Sequence, residues 1–306
     1  MNVIEAAGLG KRYWASWALR DCTLAIPAGR VAALAGPNGA GKTTLMHLAV
    51  GLAAPTKGRV TVLGGLPPGS PEALDRIAFV AQDVPLYMHL PVRDMVHVAR
   101  ALNGRRWDQQ RADKQLAALN IPLRRKVGRL SGGQQAQVAL TIALARRPEL
   151  LLLDEPLAHL DPLARHEFLA ALMETVAEDG TSVLFSSHVV AELERIADYL
   201  VVLARGRVQV AGDVDTLLAG HRILTGPAAG AGTAGAQFDV VHAQLGSAQA
   251  HLVVRRGGDA VPPPAGWQAQ PVTLEELMLA YLREPGASSL PGPEPLAAGA
   301  FTGASS

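Results

Sequence analysis

Residues 1 to about 220 predict an α/β fold built on a mainly parallel sheet, and three observations carry that prediction. Short apolar runs of β type alternate with helical patterns along this stretch. Two of the runs, 31–35 and 150–153, are apolar at every position, as strands covered on both faces require. The first of them runs straight into a glycine-rich turn followed by a helical pattern.

Taken in order, residues 3–30 are strand-rich and form an N-terminal antiparallel part that closes on the turn Pro27-Ala28-Gly29. The buried strand 31–35 leads to a helix over 42–51, and a further strand is expected at 77–80. Between 87 and 144 the pattern is helical, interrupted by Pro91, Asn103-Gly104 and Pro122, which predicts a helical subdomain inserted into the sheet domain. Strands follow at 150–153, 183–185 and 199–203. After 220 the composition shifts. Residues 221–236 read as a linker, because 225–236 is mostly Gly, Ala and Pro. Alternating runs at 237–242 and 250–255 predict strands of a small C-terminal appendage over 237–284. Thr273, with Glu276 three residues on, has the pattern of a capping box and predicts a helix to about Arg283. From 285 to 306, 17 of 22 residues are Gly, Ala, Pro or Ser, too few apolar side chains to offset ordering entropy, so a disordered tail is expected.

Composition narrows the function. With 49% hydrophobic and 18% charged residues in 306, the chain can bury a real core. Lys+Arg 28 against Asp+Glu 27 leaves a net charge of +1 and no polybasic surface, so no nucleic-acid partner is expected. The single cysteine, Cys22, excludes an intrachain disulfide and a multi-cysteine zinc site. Glu5 and the lack of a basic-then-apolar start argue against a secretory signal. No apolar run approaches the roughly 18 to 20 residues of a spanning helix; the run 138–145 ends in Arg146-Arg147. A cytoplasmic chain is the expectation.

The chemistry begins at Gly36-Pro37-Asn38-Gly39-Ala40-Gly41-Lys42-Thr43-Thr44, a G-x-x-x-x-G-K-[ST] pattern between a strand and a helix. Glycines let the backbone curl with its N–H groups toward phosphate oxygens, and the helix N-terminus adds positive partial charge. Lys42 is expected to reach the β- and γ-phosphates, and the Thr43 hydroxyl to ligate Mg²⁺. This predicts a P-loop nucleoside triphosphatase rather than an ordinary glycine-rich turn. Leu150 to Leu153 then lead into Asp154-Glu155, two acids at the carboxyl end of a buried strand, where open α/β sheets place their ligands. Asp154 is the expected Mg²⁺ partner. Glu155 is the expected base or water-positioning group.

Twenty residues before that strand lies Leu130-Ser131-Gly132-Gly133-Gln134, a serine–glycine turn opening a helix and a second potential anion site. In this order after a phosphate loop, LSGGQ resembles the signature of ATP-binding cassette (ABC) ATPases, and the resemblance covers residues 1–220 as one ABC ATPase domain. It implies roles for further residues. Tyr13 is similar to the aromatic that stacks on adenine, with Trp14 as a competitor; Gln82 to the Q-loop glutamine that senses Mg²⁺ and borders a membrane partner. Asp161 resembles the D-loop aspartate, and His188 the switch histidine that holds the γ-phosphate and attacking water. The family departs here at Gln135-Ala136-Gln137, where Arg is frequent, and at Ala158-His159, where the D-loop usually begins with Ser.

The resemblance implies ATP and Mg²⁺ as cofactors. It also implies a second cassette, identical or not, whose LSGGQ turn closes over the first one's ATP, and a separate transmembrane permease that holds the subunit on the inner face of the membrane. The segment Leu274 to Leu282 is similar to the tails of ABC-2-type, multidrug-like exporter ATPases, so export is expected. The apolar stretch 84–88 after Gln82 offers either a permease groove or ordinary packing. A soluble ABC ATPase acting on DNA or the ribosome is the alternative.

Overall fold

The computed structural model describes residues 1–84, 86–103, 105–158, 160–187, 189–255 and 262–284. His188, His159, Pro85 and the tail 285–306 lie outside the described residues.

The chain opens with two long antiparallel strands, β1 (Asn2–Tyr13) and β2 (Ser16–Pro27), in a register that sets Ile4 against Ile26 and Ala6 against Leu24. Then come β3 (Val31–Ala35) and α1 (Lys42–Val50), closed at Gly51 in the left-handed region. β4 (Lys57–Val62) returns to pair with β1, completing the three-stranded sheet β2-β1-β4. α2 (Pro71–Arg76), capped by Ser70, leads into β5 (Ile77–Val80). The next stretch is helical: α3 (Val92–Leu102), α4 (Gln109–Ala118) and α5 (Gly132–Ala145) surround a core of Val92, Met95, Leu116, Ile121 and Val138.

β6 (Leu150–Asp154), α6 (Pro162–Asp179), β7 (Ser182–Ser187), α7 (Val190–Leu193), β8 (Tyr199–Ala204) and β9 (Arg207–Asp213) complete the main sheet. Its strand order is β5-β6-β7-β3-β8-β9, parallel except for β9. The four leucines of β6 show why this strand reads as one apolar run. Leu150 and Leu152 join the core with α1 and the antiparallel sheet, whereas Leu151 and Leu153 join the core with α5 and α6. Each is fully buried and contributes about 1.5–3 kcal/mol of apolar transfer.

The last part holds α8 (Val214–Ala219), β10 (His221–Pro227), α9 (Ala231–Gly235), β11 (Asp239–Leu245), β12 (Gln249–Arg255), β13 (Gln268–Pro271) and α10 (Leu274–Arg283). The strands form a second antiparallel sheet, β11-β12-β10-β13. α10 starts at the expected capping box, Thr273 with Glu276. The segment 221–236, whose composition predicts a linker, is instead an inner strand and a helix. The reason is Trp267: a Cβ on Gly226 would lie 2.2 Å from its indole, and Ala231 and Ala234 pack in the same cluster. Small residues mark room for a ring here, not a flexible tether. Leu277, Met278 and Tyr281 of α10 share one core with Leu151, Val202 and Phe185 of the main sheet.

Candidate nucleotide site

The loop leaving β3 is shaped by its glycines. A Cβ on Gly36 would sit 2.3 Å from the Leu203 carbonyl oxygen, and one on Gly41 would sit 2.6 Å from both the Ala18 carbonyl oxygen and Leu19 Cδ2. Gly41 and Gly39 have φ of +109° and +77°, values that favour glycine. α1 begins at Gly41 with no side-chain cap and no acidic residue in its first turn, so its N-terminal dipole faces the loop unopposed by any carboxylate of its own. Pro37, Asn38, Gly39 and Thr43 are exposed at this end, and Ala40 is buried beneath them.

Lys42 is buried within this frame. Its Nζ donates to the Gly36 carbonyl at 2.8 Å and to that of Pro37 at 3.4 Å, and stands 3.1 Å from Glu155 Oε1. A cavity of about 440 Å³ is bounded by Ala18, Asn38 to Thr44, Gln82 and Glu155. Gln82, just beyond the end of β5, lines the same cavity as the loop. Asp154 ends β6 almost fully buried, and its Oδ1 accepts from Ser186 Oγ at 2.7 Å. Glu155 has φ +47°, rare for a non-glycine residue, and its N–H donates to the same Ser186 Oγ at 2.8 Å. Ser186 and Ala18 are site residues that sequence reasoning missed.

Other expected residues lie away from the cavity. Ser131 caps α5 in a reciprocal box: its Oγ accepts from Gln134 N–H and its N–H donates to Gln134 Oε1, both at 3.2 Å. Ser131 and Gly132 are exposed, and Gly133 packs against Ala164 on α6. Asp161 caps α6, its Oδ1 accepting from Ala164 N–H at 2.9 Å. Tyr13 is 43% exposed with Lys11 Nζ 5.0 Å from its ring centre, and the neighbouring Trp14 is fully exposed. Tyr87 and Met88 are exposed after Gln82, while Val84 and Leu86 pack on the core. Two roomier clefts, about 610 and 680 Å³, flank α4, but neither contains a glycine loop or an uncapped long helix.

A lysine buried in a glycine turn, a helix opening on a cavity, and two acids at the end of β6, with β7 between it and β3, define a P-loop nucleoside triphosphatase domain. An ABC transporter profile matches residues 19–158. Over 220 residues the chain is 37% identical to the Fe(3+) ions import ATP-binding protein FbpC of Pseudomonas fluorescens, covering 69% of this chain and 62% of that protein. It is 35% identical to the Nod factor export ATP-binding protein I of Rhizobium johnstonii (67% of each) and 34% identical to the thiamine import ATP-binding protein ThiQ of Salmonella choleraesuis (65% of this chain, 86% of that protein). Among solved structures, a dimeric bacterial ABC transporter cassette, also seen with ADP and Pi after hydrolysis, superposes with a TM-score of 0.62 at 26% identity, over 69% of this chain and 98% of that one. The chain belongs to the ABC transporter family as an ATP-binding ATPase subunit. Among the described residues no helix is long and apolar enough to cross a membrane.

Proposed function

We propose that this subunit hydrolyses ATP between two cassettes and so powers export by a separate membrane permease, on whose cytoplasmic side it sits. The observation that carries the reading is the placement of Lys42 and Glu155 on one cavity, 3.1 Å apart, with Ser131 exposed elsewhere on the chain. One copy supplies the phosphate loop and the acids. A second copy or a related cassette supplies the Ser131, Gly132, Gly133 and Gln134 turn across the same ATP, with Asp161 near the joint.

In this reading Lys42 turns from the Gly36 and Pro37 carbonyls to phosphate oxygens, and the loop N–H groups complete the cradle. Glu155 accepts the proton of the attacking water. His188 acts beside the γ-phosphate, and Tyr13 or Trp14 lies against adenine. The residues fit Mg²⁺: Thr43, Asp154 and Gln82 offer only oxygens of hydroxyl, carboxylate and amide, suited to a hard cation. Among the described residues no group of three or more His, Cys, Asp or Glu is placed to hold a metal ion. Mg²⁺ would neutralise charge developing between the β- and γ-oxygens.

Export is favoured by the resemblance of the α10 segment to exporter tails, and the named relatives include both importers and an exporter. Glu155→Gln tests the hydrolytic reading. Expected are loss of turnover by at least a hundredfold, retained ATP binding, and an ATP-dependent dimer on size-exclusion chromatography. Near-normal turnover would remove Glu155 as the base. Direction is tested with the co-purified permease in inside-out vesicles, where export appears as ATP-driven accumulation.

A further inference from the structure

Two serines end β7, and they face different ways. Ser187 Oγ donates to Glu192 Oε2 at 2.8 Å and accepts from Val189 N–H at 2.9 Å, and Arg165 on α6 holds the other Glu192 oxygen at 3.2 Å. Ser186 instead lies in register with Asp154 on the adjacent strand and has no exposed surface. Its hydroxyl touches both acids of the site. The direction of each bond follows from the donors: the Glu155 backbone N–H can only donate, so Ser186 Oγ accepts there and gives its own proton to Asp154 Oδ1.

We propose that Ser186 is a positioning residue for hydrolysis, tying the Asp154 carboxylate and the Glu155 backbone into one rigid unit. The inference rests on the reading of Asp154 as a Mg²⁺ ligand and Glu155 as base. Two features make the hydroxyl matter. A buried carboxylate with one oxygen held by a hydroxyl proton presents its remaining oxygen in a fixed direction, which is how outer-shell partners tune metal ligands. Glu155 stands at φ +47°, and such a backbone persists only where its surroundings hold it. The Ser186 bond to its N–H is one such hold. Neither bond involves Lys42 or the glycine loop, so ATP binding without metal does not depend on Ser186.

Ser186→Ala and the near-isosteric Ser186→Cys are assayed beside Glu155→Gln. Expected for Ser186→Ala is a kcat about ten- to a hundredfold lower, the range for losing a hydrogen bond to a charged group. The ATP KM stays within about threefold, the Mg²⁺ concentration for half-maximal rate rises several-fold, and ATP binding in EDTA is unchanged. Ser186→Cys, a weak donor of similar volume, retains the fold and falls between. Ser186→Thr, which keeps the hydroxyl, recovers most of the rate. A kcat within twofold of the parent with the same Mg²⁺ curve in Ser186→Cys and Ser186→Ala would overturn the proposal. So would a rate loss matched by a rise in KM, with the Mg²⁺ curve unmoved. If Glu155→Gln is inactive while both Ser186 variants run normally, only the Ser186 role fails; if Glu155→Gln turns over, the base assignment fails first.

Discussion

The Lys42–Glu155 pair makes a prediction that needs no nucleotide. Both side chains are more than nine-tenths buried, and their charges lie 3.1 Å apart. Removing one partner of a fully buried pair costs about 3–5 kcal/mol because the other charge stays desolvated. Here the pair borders a 440 Å³ cavity through which water can reach the survivor, so about 2–3 kcal/mol is expected for Lys42→Met. At about 2–4 °C per kcal/mol for a domain of this size, that is a fall in Tm of about 4–12 °C. Glu155→Gln alone leaves Lys42 its two loop carbonyls and costs less. The double variant neutralises both groups, so its loss should be smaller than the sum of the single losses by about 1.5–3 kcal/mol. Urea and thermal unfolding of the four proteins without nucleotide measure the cycle. Single losses that add to within about 0.5 kcal/mol would show that the two charges do not stabilise each other, and the argument from burial would be wrong.

Other expectations follow from single contacts. Gly36→Ala drives a Cβ into the Leu203 carbonyl, so the loop must shift; a fluorescent ATP analogue should bind at least tenfold more weakly, with about 1–3 kcal/mol lost in stability. Thr273→Ala removes the reciprocal cap of α10 and should cost about 1 kcal/mol, read as a lower Tm with unchanged nucleotide affinity. Burial, reinforced by the Arg255 charge, holds the His221 imidazole below its ordinary pKa, against the opposing pull of the Leu217 carbonyl. The unfolded chain therefore takes up a proton below about pH 6.5 that the folded chain resists. Stability conferred at neutral pH should decline as pH falls through that value, and Tm against pH between 7 and 5 should be flatter for His221→Gln. Parallel curves would exclude His221 as a contributor.

What was legible in the chain were features written locally. The 36–44 loop announces itself through glycine spacing, and β6 through four leucines with a two-faced burial that no helix of that length would need. The α10 cap reads directly from Thr273 and Glu276. Ser186 was not legible, because its meaning depends on the parallel register that sets it beside Asp154, and register between strands 28 residues apart leaves no mark in either one. The 221–236 stretch misled for a different reason. Composition records that side chains are small but not why, and the indole of Trp267, about 40 residues away in sequence, is the reason at Gly226. The Ser131 turn was legible as the opening of a helix, which it caps in a reciprocal box with Gln134.

The fused interior beneath α10 has an evolutionary corollary. Since Leu277 and Tyr281 fill the same interior as Leu151 and Val202, the C-terminal sheet cannot be exchanged among relatives as an interchangeable module. A chimera joined near 220 inherits two half-interfaces from different parents, and must either match their contours or expose leucines on both sides of the seam. Divergence in this portion is therefore constrained to proceed in step with the ATPase to which it is welded.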